Sequence, residues 1–128
     1  MAPLDWGLGH ATRSIPIISE LQQKECEVVI ASSGDALVLL KKEFPNFQSF
    51  ELPSYCATYS RHFPLILSVF FQLPKFLVVI ANEHHAIERI VKEQQVHLLI
   101  SDNRYGCWTT LVPTVFITHQ INIQMPFA

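Results

Sequence analysis

The chain has 128 residues, 49% hydrophobic and 16% charged, with a formal net charge of -2 and a mean hydropathy of +0.25. That composition excludes a disordered tail and implies one globular domain with enough apolar material for a core. It also excludes the basic footprint of nucleic-acid binding, because the nine Lys and Arg residues are scattered.

Cys26, Cys56 and Cys107 are odd in number and widely separated, and none stands in a C-x-x-C spacing. Neither a disulfide framework nor a zinc knuckle is indicated, and a reducing cytoplasm is the expected compartment. No basic segment followed by an apolar run marks a secretory signal.

The first stretch, Asp5-Trp6-Gly7-Leu8-Gly9-His10-Ala11-Thr12-Arg13, is a glycine-containing loop that leads into helical periodicity. Glycines permit close backbone approach, and the helix start offers unpaired N–H groups to an anionic or hydroxylated ligand. Only Met1 to Leu4 precede the loop, too few for a full strand, so the first strand is expected to be truncated. From Ser14 to Lys24, Ile15, Ile18 and Leu21 recur at helical spacing, and Pro16 is expected within the tolerant first turn.

Glu27 to Ala31 is a short apolar run of the kind found in buried parallel strands, and Ser32, Ser33 and Gly34 form the turn after it. A helix over Asp35 to Phe44 is stopped by Pro45, and a third strand covers Phe47 to Leu52. Pro53 to His62 reads as irregular. Pro74 is expected to open a long helix whose apolar face carries Leu77, Ile80, His84, Ile87 and Val91, with Glu83, Glu88, Lys92 and Glu93 on other faces. Val96 to Ile100 and Thr114 to Ile117 read as further buried strands.

Phe63 to Ala81 is nearly free of charge, but a spanning helix needs about 20 mainly apolar residues, and Pro64, Gln72, Pro74 and Lys75 interrupt this one. Two readings stand: a buried helix pair, or a surface patch that meets lipid or a lipid-linked substrate.

Strands alternating with helices predict an α/β fold with a doubly wound, Rossmann-like parallel sheet and helices on both faces. Ligands of such sheets bind at the carboxyl ends of the strands. On that rule His10, Ser32 and Ser33, Asp102 to Tyr105, and His119 with Gln120 should share one rim.

His10 carries an imidazole, a group that can take a proton from a hydroxyl nucleophile; equally, it can be a helix-start residue bonded to nearby backbone. Asp102, at a neighbouring strand end, can accept the imidazole N–H and fix its tautomer. Arg13 can pair with a substrate anion, or with Asp5 or Asp102. Trp6 can stack on a sugar ring or anchor the loop in the core. Asn103, Arg104 and Tyr105 form a polar cluster in a turn closed by Gly106.

His84 reads as a core histidine with a satisfied nitrogen, and His62, His85 and His97 lack partners at metal-ligand spacing, so no metal site is expected. The loop lacks the Lys of a Walker A motif. Arg13 stands where a dinucleotide fingerprint has its third small residue, so an NAD site fits poorly. A response-regulator or flavodoxin type of domain would want paired acids after the first strand, and only Asp5 is there.

Gly7-Leu8-Gly9-His10-Ala11-Thr12-Arg13 followed by Pro16 resembles the N-terminal loop of GT-B glycosyltransferases, most closely the family 28 branch and its UDP-glycosyltransferase relatives. Ser101-Asp102-Asn103-Arg104-Tyr105-Gly106 and Phe116-Ile117-Thr118-His119-Gln120 resemble segments of bacterial members. The resemblance covers essentially the whole chain. It implies an acceptor-side first domain, with the nucleotide-sugar donor held mainly by a second domain outside these residues, and an isolated chain that is inactive. It assigns His10 as base and Asp102 as its supporting carboxylate. Trp6, Gly7, Gly9, Arg13, Asn103, Arg104, Tyr105, His119 and Gln120 then line the substrate site. It implies inverting transfer to an acceptor hydroxyl with no cofactor, in the cytoplasm or peripherally at the inner membrane face, on an acceptor that can be lipid-linked. A non-catalytic binding domain derived from such an enzyme is the alternative.

Overall fold

The structure, a computed structural model, describes residues 1–55 and 65–118, the side chains of 65–70 excepted. It is an α/β arrangement in which every strand pairing is parallel. β1 (Ala2–Pro3), β4 (Leu99–Asp102) and β5 (Thr114–Ile117) form one ladder, and β2 (Ile30–Ser32) and β3 (Ser49–Glu51) form another.

The first strand is short, as expected: β1 has two residues, and it stands at the end of the first ladder, next to β2 of the second. The Met1 amino group donates to Val29 O at 2.8 Å and Ala31 N–H to Met1 O at 3.0 Å, while Leu4 N–H reaches Asp102 O at 3.0 Å. The spatial order is therefore β3-β2-β1-β4-β5. Pro3 has no N–H to give to a central strand, and its carbonyl instead accepts the Ser32 hydroxyl at 2.9 Å.

α1 (Gly9–Gln23) and α2 (Gly34–Glu43) cover one face, where Ile18, Ile30, Leu37 and Leu40 form a buried cluster. α3 (Leu65–Glu93) covers the other, packing Ile87, Ile90 and Val91 on Ala2, Ala31 and Leu99. β2 shows the alternation that feeds both cores: Ile30 goes to one cluster and Ala31 to the other. The connection from β4 to β5, residues 103–113, contains no helix.

Three expectations change. α1 begins at Gly9, five residues before the expected start, so Pro16 sits in its third turn. Thr12, whose carbonyl Pro16 leaves without an N–H partner, is exposed like Pro16 itself, so water meets the loss. Pro74 lies inside α3, which runs through it as one 29-residue helix. The buried helix pair is therefore replaced by a single helix whose Phe71, Leu73, Leu77 and Val78 are exposed. The buried face is Glu83, Ile87, Ile90 and Val91, with Ile80 half-buried, so Leu77 leaves the expected stripe and Glu83 joins it. Among the described residues no helix is long and apolar enough to cross a membrane. Finally, β5 is an edge strand among the described residues, with Val115 and Phe116 exposed rather than buried on both faces.

α3 comes unusually close to the turn after β4. A Cβ on Gly106 would lie 2.5 Å from Ile80 O and 2.8 Å from Glu83 Cβ. Gly106→Ala is therefore expected to cost about 1–3 kcal/mol through forced overpacking, read as a shift in urea midpoint. Gly9→Ala, where a Cβ meets nothing within 4 Å, should be neutral or slightly stabilising. Equal losses at both glycines would contradict the close approach.

Candidate functional site

The strand order reverses between β1 and β4, and the crevice outside the carboxyl ends at such a reversal is where open α/β sheets bind ligands. The loop after β1 supplies Asp5, Trp6 and, at the start of α1, His10 and Arg13. The turn after β4 supplies Asp102, Asn103 and Tyr105.

His10 and Arg13 lie in the first two turns of α1, whose positive dipole end favours a nearby anion. Asp102 supplies the counter-charge. It is 1% exposed; its Oδ2 lies 3.1 Å from His10 Nδ1, and its Oδ1 takes the Arg13 guanidinium. Arg13 Nη2 also stands 2.9 Å from His10 Nδ1. The guanidinium only donates, so Nδ1 cannot both accept from Arg13 and donate to Asp102. A buried carboxylate needs donors more than a solvated guanidinium needs an acceptor, which selects the Nδ1–H tautomer and leaves the base lone pair on Nε2.

Gly7 holds φ +73°, the left-handed region where glycine is at ease. Asn103 holds φ +56°, which asparagine tolerates better than most residues. Its N–H is held by Ile117 O at 3.0 Å, so the turn is tied to β5.

Beneath this rim lies a charged network that sequence reading divided among other roles. Arg104 is fully buried and thus sits under the rim. Its Nε lies 2.7 Å from Glu83 Oε1, and its Nη2 donates to Ser33 Oγ at 2.7 Å and to Pro53 O at 3.1 Å, with Asp5 Oδ1 at 3.9 Å. Asp5 Oδ2 accepts the hydroxyls of Ser33 and Ser54 at 2.7 and 2.6 Å. Glu83 Oε2 accepts the Tyr55 hydroxyl at 2.6 Å and the Gly106 N–H at 2.9 Å. Burial pushes the Glu83 carboxyl above its usual range, against the pull of Arg104 and the donors Tyr55 and Gly106. Burial and Glu83 together push the Tyr55 phenol far upward.

Glu83 and Tyr55 were the residues missed. The signal for Glu83 was its spacing, three residues after Ile80 and four before Ile87, which places it on the buried face.

A cavity of about 370 Å³ opens beside His10 and Asn103, with walls of Leu4, Trp6, Tyr55, Phe76, Ile80 and Tyr105. Trp6 is half-exposed and its ring meets Tyr55 edge-on at 6.3 Å, so it serves the cavity wall rather than the core. A larger cavity, about 480 Å³, opens at the amino ends of the strands near Val29, His97 and Leu98, away from every candidate residue.

His10, Arg13 and Asp102 are thus brought together, with Trp6, Asn103 and Tyr105 around the adjoining cavity. His119 and Gln120 lie outside the described residues, as do Cys56, His62 and Phe63. His84 is half-buried; its Nδ1 is without a hydrogen bond among the described residues, and its ring stacks on Trp108 at 4.1 Å. Among the described residues no cluster of three His, Cys, Asp or Glu could hold a metal.

Comparisons with protein-family models, with curated proteins and with solved structures return no match.

Two measurements check this geometry. The ¹⁵N shifts of neutral His10 should report the Nδ1–H tautomer, and Asp102→Ala should let both tautomers populate; an unchanged tautomer ratio contradicts the Asp102 contact. For Glu83 the sign is set by its raised folded-state pKa. The folded chain binds the proton more tightly than the unfolded chain, so Glu83's contribution is full below pH about 4.5 and is lost as pH rises through the folded value. Glu83→Gln should therefore gain stability relative to the unaltered chain between pH 4.5 and 7, read from paired urea titrations. A difference that stays flat with pH counts against the raised pKa.

Proposed function

We propose that the chain is the acceptor-side domain of a glycosyltransferase, as its loop resemblance implies. The observation that carries this reading is the 3.1 Å approach of His10 Nδ1 to Asp102 Oδ2 at the strand-order reversal, beside a cavity large enough for an acceptor. The order β3-β2-β1-β4-β5, with helices on both faces, supports the doubly wound arrangement of such a domain, although its last crossover carries no helix.

In this mechanism His10 Nε2 removes the acceptor hydroxyl proton as the oxygen attacks the anomeric carbon of a nucleotide diphosphate sugar, with inversion. Asp102 holds the imidazole by Nδ1 and stabilises the imidazolium that forms. Arg13 pairs with Asp102 in its buried position. The nucleotide-sugar is held mainly by residues outside these 128, and no cofactor or metal takes part. The exposed Phe71, Leu73, Leu77 and Val78 support a peripheral contact with a membrane face in the cytoplasm, from which a lipid-linked acceptor would reach the cavity.

One observation favours the non-catalytic alternative. Arg13 already balances the charge of Asp102, so less of that charge is left to stabilise an imidazolium, and the trio can serve simply to fix the loop of a binding domain.

The two readings separate on one substitution. In the protein that carries this chain with its donor domain, His10→Ala should lower sugar transfer by about 10²–10⁴-fold with an unchanged thermal midpoint. Transfer at the unaltered rate would remove the base assignment, and no transfer by the unaltered protein with any UDP-sugar would leave the binding domain.

A further inference from the structure

We propose that the cavity at the amino ends of the strands takes an extended apolar peptide as an added parallel strand between β2 and β4, with the peptide's C-terminal carboxylate against the Met1 amine.

The sheet leaves room for such a strand. The apolar runs Glu27 to Ala31 and Val96 to Ile100 begin three residues before their ladders do, at Ile30 and Leu99. β1 separates the two strands only from Ala2 onward, and the cavity of about 480 Å³ lies ahead of it, with Val28, Val29, His97 and Leu98 among its walls. At about 3.3 Å per residue, three peptide residues would span roughly 10 Å of this trench.

Backbone direction supplies the recognition. Ala31 N–H donates to Met1 O and the Met1 amine to Val29 O, so Val29 and Ala31 turn their backbone groups toward β1. Leu4 N–H reaches Asp102 O, so Asp102 and, two residues earlier, Ile100 face β1 from the other side. The N–H groups of Val29 and Ile100 therefore point into the trench. A parallel strand ending just ahead of Met1 presents its penultimate carbonyl to Val29 and its carboxylate to Ile100, the pattern of strand addition to a sheet.

The side chains of that strand find apolar walls. Met1 packs on the cluster of Ile18 and Ile30, and Ala2 belongs to the cluster of Ile87 and Val91. Alternation sends the last peptide side chain to the Ala2 side, toward Ile90 and Val91, and the one before it to the Met1 side, toward Leu21.

Charge selects the end of the peptide. The Met1 ammonium has three donors and gives one to Val29 O at 2.8 Å. Burial lowers its pKa to about 6, so the charged form is the one that gains from a carboxylate placed beside it. A peptide capped as an amide brings no such partner.

The test is fluorescence polarisation of the 128-residue chain with fluorescein-Lys-Val-Ile-Val carrying a free carboxylate, at pH 6. The same peptide as its amide should bind about tenfold or more weakly. Dodecanoate, which has a carboxylate and an apolar chain but no carbonyl for Val29, should fail to compete at concentrations where the unlabelled peptide does. A chain lengthened by Val-Ile-Val ahead of Met1 carries its own strand in the trench; it should bind the free peptide about tenfold or more weakly while remaining folded by circular dichroism. Should the lengthened chain not fold, Leu21→Glu, which sets a charge on the half-buried wall, serves in its place.

Absence of binding by the carboxylate peptide, equal binding of the amide, competition by dodecanoate as strong as that by the peptide, or undiminished binding by the folded lengthened or Leu21→Glu chain would overturn the proposal.

Discussion

A guanidinium with no exposure must bring its partners with it. Arg104 cannot shed its charge, and the cost of an unpaired buried cation is several kcal/mol. Its partners come from four places along the chain: Asp5 after β1, Ser33 after β2, Pro53 after β3 and Glu83 on α3. Burial of one side chain thereby ties three strand ends and a helix to the turn that also carries Asp102 and Asn103. The rim is assembled from below.

This arrangement separates two kinds of polarity at the same end of the sheet. The upper trio of His10, Arg13 and Asp102 is partly open, with His10 at 13% and Arg13 at 38% side-chain exposure. The lower set is buried, with Arg104 and Glu83 both at 0% side-chain exposure. Chemistry needs groups that can exchange protons with a ligand, whereas positioning needs groups that cannot. Tyr55 connects the levels, its hydroxyl held below by Glu83 and its ring forming cavity wall.

The parallel strands, the helices between them and the shared rim were legible because they rest on local patterns: apolar runs bounded by turns, helical spacing, and polar residues just past each strand. The strand-end rule put His10 and Asp102 on one rim, but their contact, 92 residues apart in the chain, is seen only in the structure. Illegible features were those in which tertiary contact outweighs local signal. Glu83 sits in a run rich in charged and polar side chains and looks solvated, and only Arg104 makes its burial tolerable. Pro74 looks like a helix start, yet α3 continues through it. Met1 to Leu4 look too short for a strand, but with neighbours on both sides two paired residues suffice.

The tight approach of α3 at Gly106 has a mechanical consequence. With Ile80 O and Glu83 Cβ so close to that glycine, and Ile87, Ile90 and Val91 in the core, the helix is held from residue 80 onward and any bend of its earlier part starts near that point. At about 1.5 Å rise per residue, Phe76 lies roughly 6 Å from the pivot and Phe71 roughly 14 Å. A lean of about 10° would carry Phe71 more than 2 Å but Phe76 only about 1 Å. The exposed end of α3 can thus adjust to whatever it meets while the cavity wall, close to the fulcrum, keeps its width.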